Sequence, residues 1–284
     1  MGLLATTLIP ACSAVDLKAE NDGGNLLDRL RAAGEVRMGF ANEAPYGYVN
    51  REGVLTGEAP EVGKAVFRRL GVDRVVPALS DFGSLIPGLR AGLFDVIAAG
   101  MFITPARCEQ ILFSDPDYNA PEALLVRSDD PREPATLQDF AQRDDLRLGV
   151  LLGSVEVEVA AGYGVPADRV VTFASQAGGI DGLLADRVDG FLLTAISLRD
   201  ALSRRPGVPL ELTEPFVPVI DGIERYGAGG FGFRPDQTRL RDAFNAELHE
   251  LKDSGELLEI VRPFGFSESE MTDLTAERLC RPAT

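Results

Sequence analysis

Residues 95–107 read Asp95-Val96-Ile97-Ala98-Ala99-Gly100-Met101-Phe102-Ile103-Thr104-Pro105-Ala106-Arg107, and Phe113-Ser114-Asp115-Pro116 follows shortly after. The run 95–99 is apolar beyond its first residue and has the length of a buried strand. A strand that ends in glycine, then an aromatic residue, Thr-Pro and an arginine is a place to hold something. Gly100 leaves backbone N–H groups open and Phe102 offers a ring face. Arg107 offers a planar fork that can grip a carboxylate through two parallel hydrogen bonds.

Working outward, the flanking chain alternates strands and helices. Residues 26–33 predict a short helix, and Val36, Met38 and Phe40 alternate with polar positions as a first strand. A polar and aromatic loop, 41–48, follows. Gly57-Glu58-Ala59-Pro60 leads into a helix carrying Val62, Val66, Phe67 and Leu70 on one face, which Gly71 stops. Residues 74–79 predict a second strand, and Ser80 and Asp81 are candidate caps for a helix over 82–91. Strand, helix, strand, helix, strand is the order of a parallel α/β sheet, where ligands sit beyond the carboxyl ends of the strands. Three segments converge there: 42–48, 80–82 and 100–107.

A second αβ series begins after an extended crossing at 119–127. Strands are expected at 147–152, 169–173 and 189–193, with helices at 155–161 and 178–186 between them. The glycine-rich stretch 227–233 reads as a return crossing, helices at 237–253 and 255–261 follow, and the acidic tail 268–281 is expected over the surface. The implied organisation is a leader and linker over 1–25, a first lobe of 26–118 plus 229–284, a second lobe of 122–225, and hinges near 119–121 and 226–228. Two lobes joined by two crossings place a ligand between them.

The chain has 284 residues, 45% of them hydrophobic, enough for two real cores. Its net charge of −16 argues against nucleic acid and anionic membrane surfaces, both of which need a basic face. The opening residues 1–13 are small and apolar, too few to span a bilayer and similar to the end of a secretory leader. Ile9-Pro10-Ala11-Cys12 resembles a lipoprotein cleavage box, with Cys12 as the lipidated residue. We expect export to the periplasm or the outer face of the membrane. With Cys12 set aside, Cys108 and Cys280 can pair in an oxidising compartment or remain free thiols. The sequence has no Cys-x-x-Cys and a single histidine, His249, so no zinc site and no cofactor are expected.

The stretch 100–118, the segment Phe82-Gly83-Ser84-Leu85-Ile86-Pro87-Gly88-Leu89 with Gly92 and Asp95, and Gly153-Ser154 together resemble the amino-acid-type solute-binding proteins of bacterial ABC importers. The resemblance spans about 26–266 and implies a two-lobed periplasmic binding fold of type II. Ala41-Asn42-Glu43-Ala44-Pro45-Tyr46, Gly57-Glu58-Ala59-Pro60-Glu61 and Ala98 to Pro105 look most like the branch that binds ectoine and hydroxyectoine. That resemblance gives Arg107 to the ligand carboxylate and Glu43 to a ring N–H. Tyr46, Phe82 and Phe102 would box a flat cation. Ser154 and the turn 153–155 would hold the carboxylate from the second lobe. Gly100 would contribute backbone contacts, and Asn42 completes the set. Amino-acid binders of this family usually place an aspartate after the second-lobe strand to hold the ligand's α-ammonium. Here Thr194 stands in that position. A buried ammonium without a partner is costly, whereas ectoine carries a delocalised amidinium ring and no α-ammonium.

The resemblance implies a monomer that binds a small zwitterion and docks on ABC permease subunits. Three alternatives stay open: a polar or cationic amino acid as ligand, a dehydratase-like enzyme on the same fold with Glu43 as its base, and a sensor that uses the same closure without transport.

Overall fold

The computed structural model describes residues 25–225 and 227–281. The leader reading and Cys12 therefore lie outside the described residues, as does Tyr226 in the expected second hinge.

The fold is α/β with two sheet-rich lobes. In the first, the strands run in the order Arg74–Leu79, Glu35–Phe40, Val96–Phe102, Gly227–Phe233, Leu112–Phe113, with Tyr118–Ala120 also paired to Gly227–Phe233. The first three are mutually parallel. Val96–Phe102 lies inside the sheet and all but Gly100 of its residues are buried, which is why its sequence is an unbroken apolar run and not an alternating one. The second lobe repeats the scheme in the order Val170–Phe173, Leu148–Leu151, Gly190–Thr194, Glu122–Arg127, Leu210–Leu212.

Both lobes use one device to align their central strands. Asp95 accepts the backbone N–H of Arg37 at 3.0 Å and bonds its guanidinium, while its own N–H donates to the Arg37 carbonyl at 2.9 Å. In the second lobe Asp189 accepts the N–H of Arg147 at 2.7 Å and donates to the Arg147 carbonyl at 2.8 Å. A carboxylate just before a strand thus fixes the register of the neighbouring parallel strand.

The helix Glu58–Arg69 covers the first sheet with Val62, Val66 and Phe67, all fully buried. The longest helix, Thr238–Asp253, brings Phe244 to within 4.5 Å of Phe231, centroid to centroid. These rings and aliphatic groups form the first core.

Three expectations need correcting. The central strand does not stop at Ala99 but continues to Phe102, because Gly229 and Gly230 pair with Phe102 and Met101. Gly227–Phe233 is accordingly a full strand of the first sheet as well as the return crossing. Residues 82–91 begin as a 3₁₀ turn, Phe82–Ser84, before the helix Leu85–Arg90; Asp81 makes no side-chain cap, and the Ser80 hydroxyl donates to the Asp81 carbonyl. The tail is anchored: Ala276 is buried, its N–H donates to Asp115 at 2.8 Å, and Cys280 forms a disulfide with Cys108.

The two crossings lie side by side, with Gly227 opposite Ala120, Ala228 opposite Asn119 and Gly229 opposite Tyr118. Among the described residues no helix is long and apolar enough to cross a membrane.

The Cys108–Cys280 link joins residues 172 apart in sequence, and cross-links of that reach stabilise by about 2–4 kcal/mol. Replacing both cysteines by serine is expected to lower the thermal midpoint by about 5–10 °C. Calorimetric melts of the two proteins check this; equal midpoints would mean that the Asp115 contacts alone hold the tail.

Candidate functional site

A narrow cavity of about 20 Å³ lies between the lobes. Its wall brings together Glu43, Tyr46, Phe82, Gly100, Phe102, Arg107, Ser154 and Thr194, from segments that are far apart in sequence. Asn42 is not in that wall. Its backbone is left-handed and its carboxamide accepts the Val49 N–H at 3.0 Å, so it shapes the loop that carries Glu43.

Arg107 is placed by the short turn after the central strand. Thr104 caps the helix Pro105–Cys108 by accepting the Arg107 N–H, and Pro105 suits the first helical position. The guanidinium donates to the Phe102 carbonyl at 2.6 Å in its own lobe and to the Gly153 carbonyl at 3.0 Å in the other. It also lies 5.6 Å from the centre of the Phe82 ring. Burial pulls its pKa down from the ordinary value. Two of the five guanidinium N–H groups meet these carbonyls, which leaves donors for an oxyanion.

Tyr46 packs its ring against Tyr118 at 5.1 Å and Phe266 at 6.0 Å, and its hydroxyl donates to Thr194 Oγ1 at 2.9 Å across the cleft. Tyr118 in turn donates to the Gly100 carbonyl at 2.8 Å. Gly100 has φ +60, and a Cβ there would lie 2.4 Å from the Tyr46 ring, so the position needs glycine for both conformation and space.

Ser154 donates its hydroxyl to the Leu151 carbonyl at 2.8 Å. The helix that follows, Glu156–Gly162, starts from Val155 without a side-chain cap.

Glu43 is buried, and its carboxylate accepts the Ser197 hydroxyl at 2.8 Å from the second lobe. Gln176 completes this seam by donating to Ser197 Oγ at 2.7 Å and to the Ala44 carbonyl at 3.0 Å. Burial raises the Glu43 pKa to about 8; the Ser197 bond opposes the rise and the charge of Glu156 adds to it.

Sequence reasoning missed four groups at or behind the cavity: Glu122, Glu156, Gln176 and Ser197. Glu156 and Ser197 had a usable signal, since each lies in the first turn after a cleft-facing strand end. Gln176 follows Ser175, the cap of the helix Gln176–Leu184, and lies just ahead of the helix start expected at 178. Glu122 had no sequence signal; only the strand register brings it opposite Thr194.

Among known families, the model of the bacterial extracellular solute-binding proteins, family 3, matches residues 36–267. A probable amino-acid ABC transporter periplasmic-binding protein of Sinorhizobium fredii, y4tE, is 31% identical over 278 residues, covering 96% of this chain and 91% of its own. The lysine/arginine/ornithine-binding periplasmic protein of Escherichia coli is 30% identical over 226 residues, 78% of this chain and 83% of its own. A crystal structure of EhuB in complex with hydroxyectoine superposes with a TM-score of 0.83 at 35% identity, covering 90% of this chain and 98% of that one.

Two outcomes follow from this geometry. Gly100→Ala forces a left-handed alanine into the Tyr46 ring and is expected to lower unfolding stability by about 2–4 kcal/mol, read by denaturant titration; a loss below half a kilocalorie would mean the ring moves freely aside. The second concerns pH. With the cleft open to water Glu43 returns toward its ordinary 4.5, whereas in the empty closed form it stands near 8. Empty closure therefore takes up a proton, is fully favoured below pH 4.5 and is lost as the pH rises through 8. Dyes placed on the two lobes should report a falling closed fraction across that window. A flat profile would place Glu43 outside the closing surface.

Proposed function

The chain belongs to the bacterial extracellular solute-binding proteins, family 3, and on that premise we propose that it captures ectoine or hydroxyectoine between its lobes and delivers it to the permease of an ABC importer. The carrying observation is the position of Arg107, buried in the cavity wall with unused N–H groups and facing Glu43, Phe82 and Phe102. A carboxylate meets the guanidinium fork, the flat amidinium ring lies among the aromatic side chains, and Glu43 takes a ring N–H. Ser154 and Thr194 contribute from the second lobe, and Gly100 from the backbone. The likeness to EhuB, whose structure holds hydroxyectoine, supports this choice among the family's ligands.

Closure is the signal. The residues near 119–121 and 226–228 act as hinges, and the Arg107–Gly153, Tyr46–Thr194 and Glu43–Ser197 bonds form only when the lobes meet. Ligand adds the interactions that hold this arrangement, and the permease reads the closed form.

A second reading, a basic or polar amino acid, is favoured by one observation: acidic side chains stand beside Thr194, where an ammonium would need a partner.

Calorimetry with ectoine, hydroxyectoine, arginine and glutamine separates the two. We expect the cyclic zwitterions to bind and Arg107→Ala to weaken them at least 100-fold, with Arg107→Lys intermediate because a point charge replaces the fork. Binding of arginine or glutamine with no heat from ectoine at millimolar concentration would overturn the choice of ligand. An unchanged dissociation constant in Arg107→Ala would move the site elsewhere.

A further inference from the structure

We propose that Glu122 and Glu156 form a second, cation-accepting wall of the cleft beside Arg107, so that the occupant must present cationic N–H groups on two sides and a carboxylate on a third. This deepens the reading above and rests on it for the location of the site.

Three observations carry the inference. The first is register. Glu122 is directly opposite Thr194 across the antiparallel pair Glu122–Arg127 and Gly190–Thr194. Side chains of directly paired residues stand on the same face of a sheet, and Thr194 lines the cavity. Glu122 therefore stands beside the position from which an aspartate would otherwise reach a ligand.

The second is the state of the carboxyl groups. Glu122 is 2% exposed and Glu156 3%. The Oε2 atom of each is buried with no hydrogen-bond partner, and Glu156 lines the cavity directly. Burial raises both pKa values, and the charge of Glu156 adds to the rise at Glu122. Buried carboxyl oxygens are ordinarily paired; here two are left over beside a cavity.

The third is the charge count. Glu43, Glu122 and Glu156 give three carboxyl groups around one guanidinium. A simple carboxylate anion would satisfy Arg107 and leave the acids unanswered. A zwitterion with a single localised ammonium would answer one side of the cavity. An amidinium ring offers N–H groups on both sides of one delocalised charge, one for Glu43 and one for the Glu122–Glu156 pair. A basic amino acid offers the same through two separate cations. The backing acids thus supply the negative charge that Thr194 lacks and turn it into a hydroxyl contact with a carboxylate behind it.

The test uses Glu122→Gln and Glu156→Gln in the full chain, titrated calorimetrically with ectoine and with arginine. For whichever probe binds the unaltered protein, each substitution should weaken binding at least tenfold, while thermal midpoints of the ligand-free proteins stay equal or rise because a buried acid has been removed. A purely structural role would lower the midpoint and leave the dissociation constant alone. Glu156→Asp, which keeps the charge, should recover more affinity than Glu156→Gln. Citrulline, which matches arginine in shape without the side-chain cation, should bind no better to the unaltered protein than to Glu156→Gln. Dissociation constants within twofold of the unaltered protein in both glutamine variants overturn the inference even if Arg107→Ala abolishes binding. If ectoine fails but arginine binds and depends on both acids, the ligand choice above falls and this inference stands. Failure of both probes to bind overturns both.

Discussion

The Arg107 guanidinium is bonded to a carbonyl in each lobe, Phe102 on one side and Gly153 on the other. A buried cation needs a counter-charge, and carbonyl dipoles supply only part of one. Much of the local structure can be understood as fixing this group. The central strand must run on to Phe102 to present that carbonyl, and the Thr104–Pro105 turn must bring the chain back so that residue 107 faces the cleft. The next residue, Cys108, is tied by its disulfide to a tail that also bonds Asp115. The remaining guanidinium donors point to an anion, and the only part of a small solute that answers a planar fork on two prongs is a carboxylate or its like.

Aromatic side chains can crowd this region because glycine stands where they lie against the sheet. Tyr46 rests on Gly100, and Phe102 rests on Gly227, where a Cβ would come within 2.0 Å of its ring. The same glycine belongs to the return crossing paired with Ala120. Ring placement in the cavity and the path of the chain between lobes are therefore set at one residue, so movement at the crossing is felt at the Phe102 face of the site.

Much of this was legible in the sequence. Periodicity located the helices Leu26–Ala33 and Glu58–Arg69, and the apolar runs located the parallel strands, because each is a local pattern imposed by burial. The convergence of Glu43, Tyr46, Phe82, Gly100, Phe102 and Arg107 followed from one rule, that loops beyond the carboxyl ends of parallel strands share a crevice. Legibility ended where pairing is non-local. That Gly227–Phe233 is a strand depends on Val96–Phe102 beside it, since a glycine-rich stretch has little intrinsic preference for a sheet. The Glu43–Ser197 and Ala44–Gln176 bonds of the seam join residues more than 130 positions apart and have no sequence spacing to betray them.

Thr194 shows why composition at one position is a weak guide to charge. Taken alone, threonine in place of aspartate removes a negative charge from the second lobe and speaks against any ligand with an ammonium. Placed in the sheet, it faces Glu122 across one strand pair, with the charge of Glu156 close enough to raise the pKa of that carboxyl. The charge has moved back by one strand and lies behind a hydroxyl that also accepts from Tyr46. A carboxylate directly at position 194 would sit against the Tyr46 oxygen and favour a compact point charge. A hydroxyl there, with the acids behind it, favours a broader and more diffuse cation, whose charge is shared over several atoms and can be met by several weaker contacts. On the reading proposed above, what the position selects is the shape of the positive charge more than its presence.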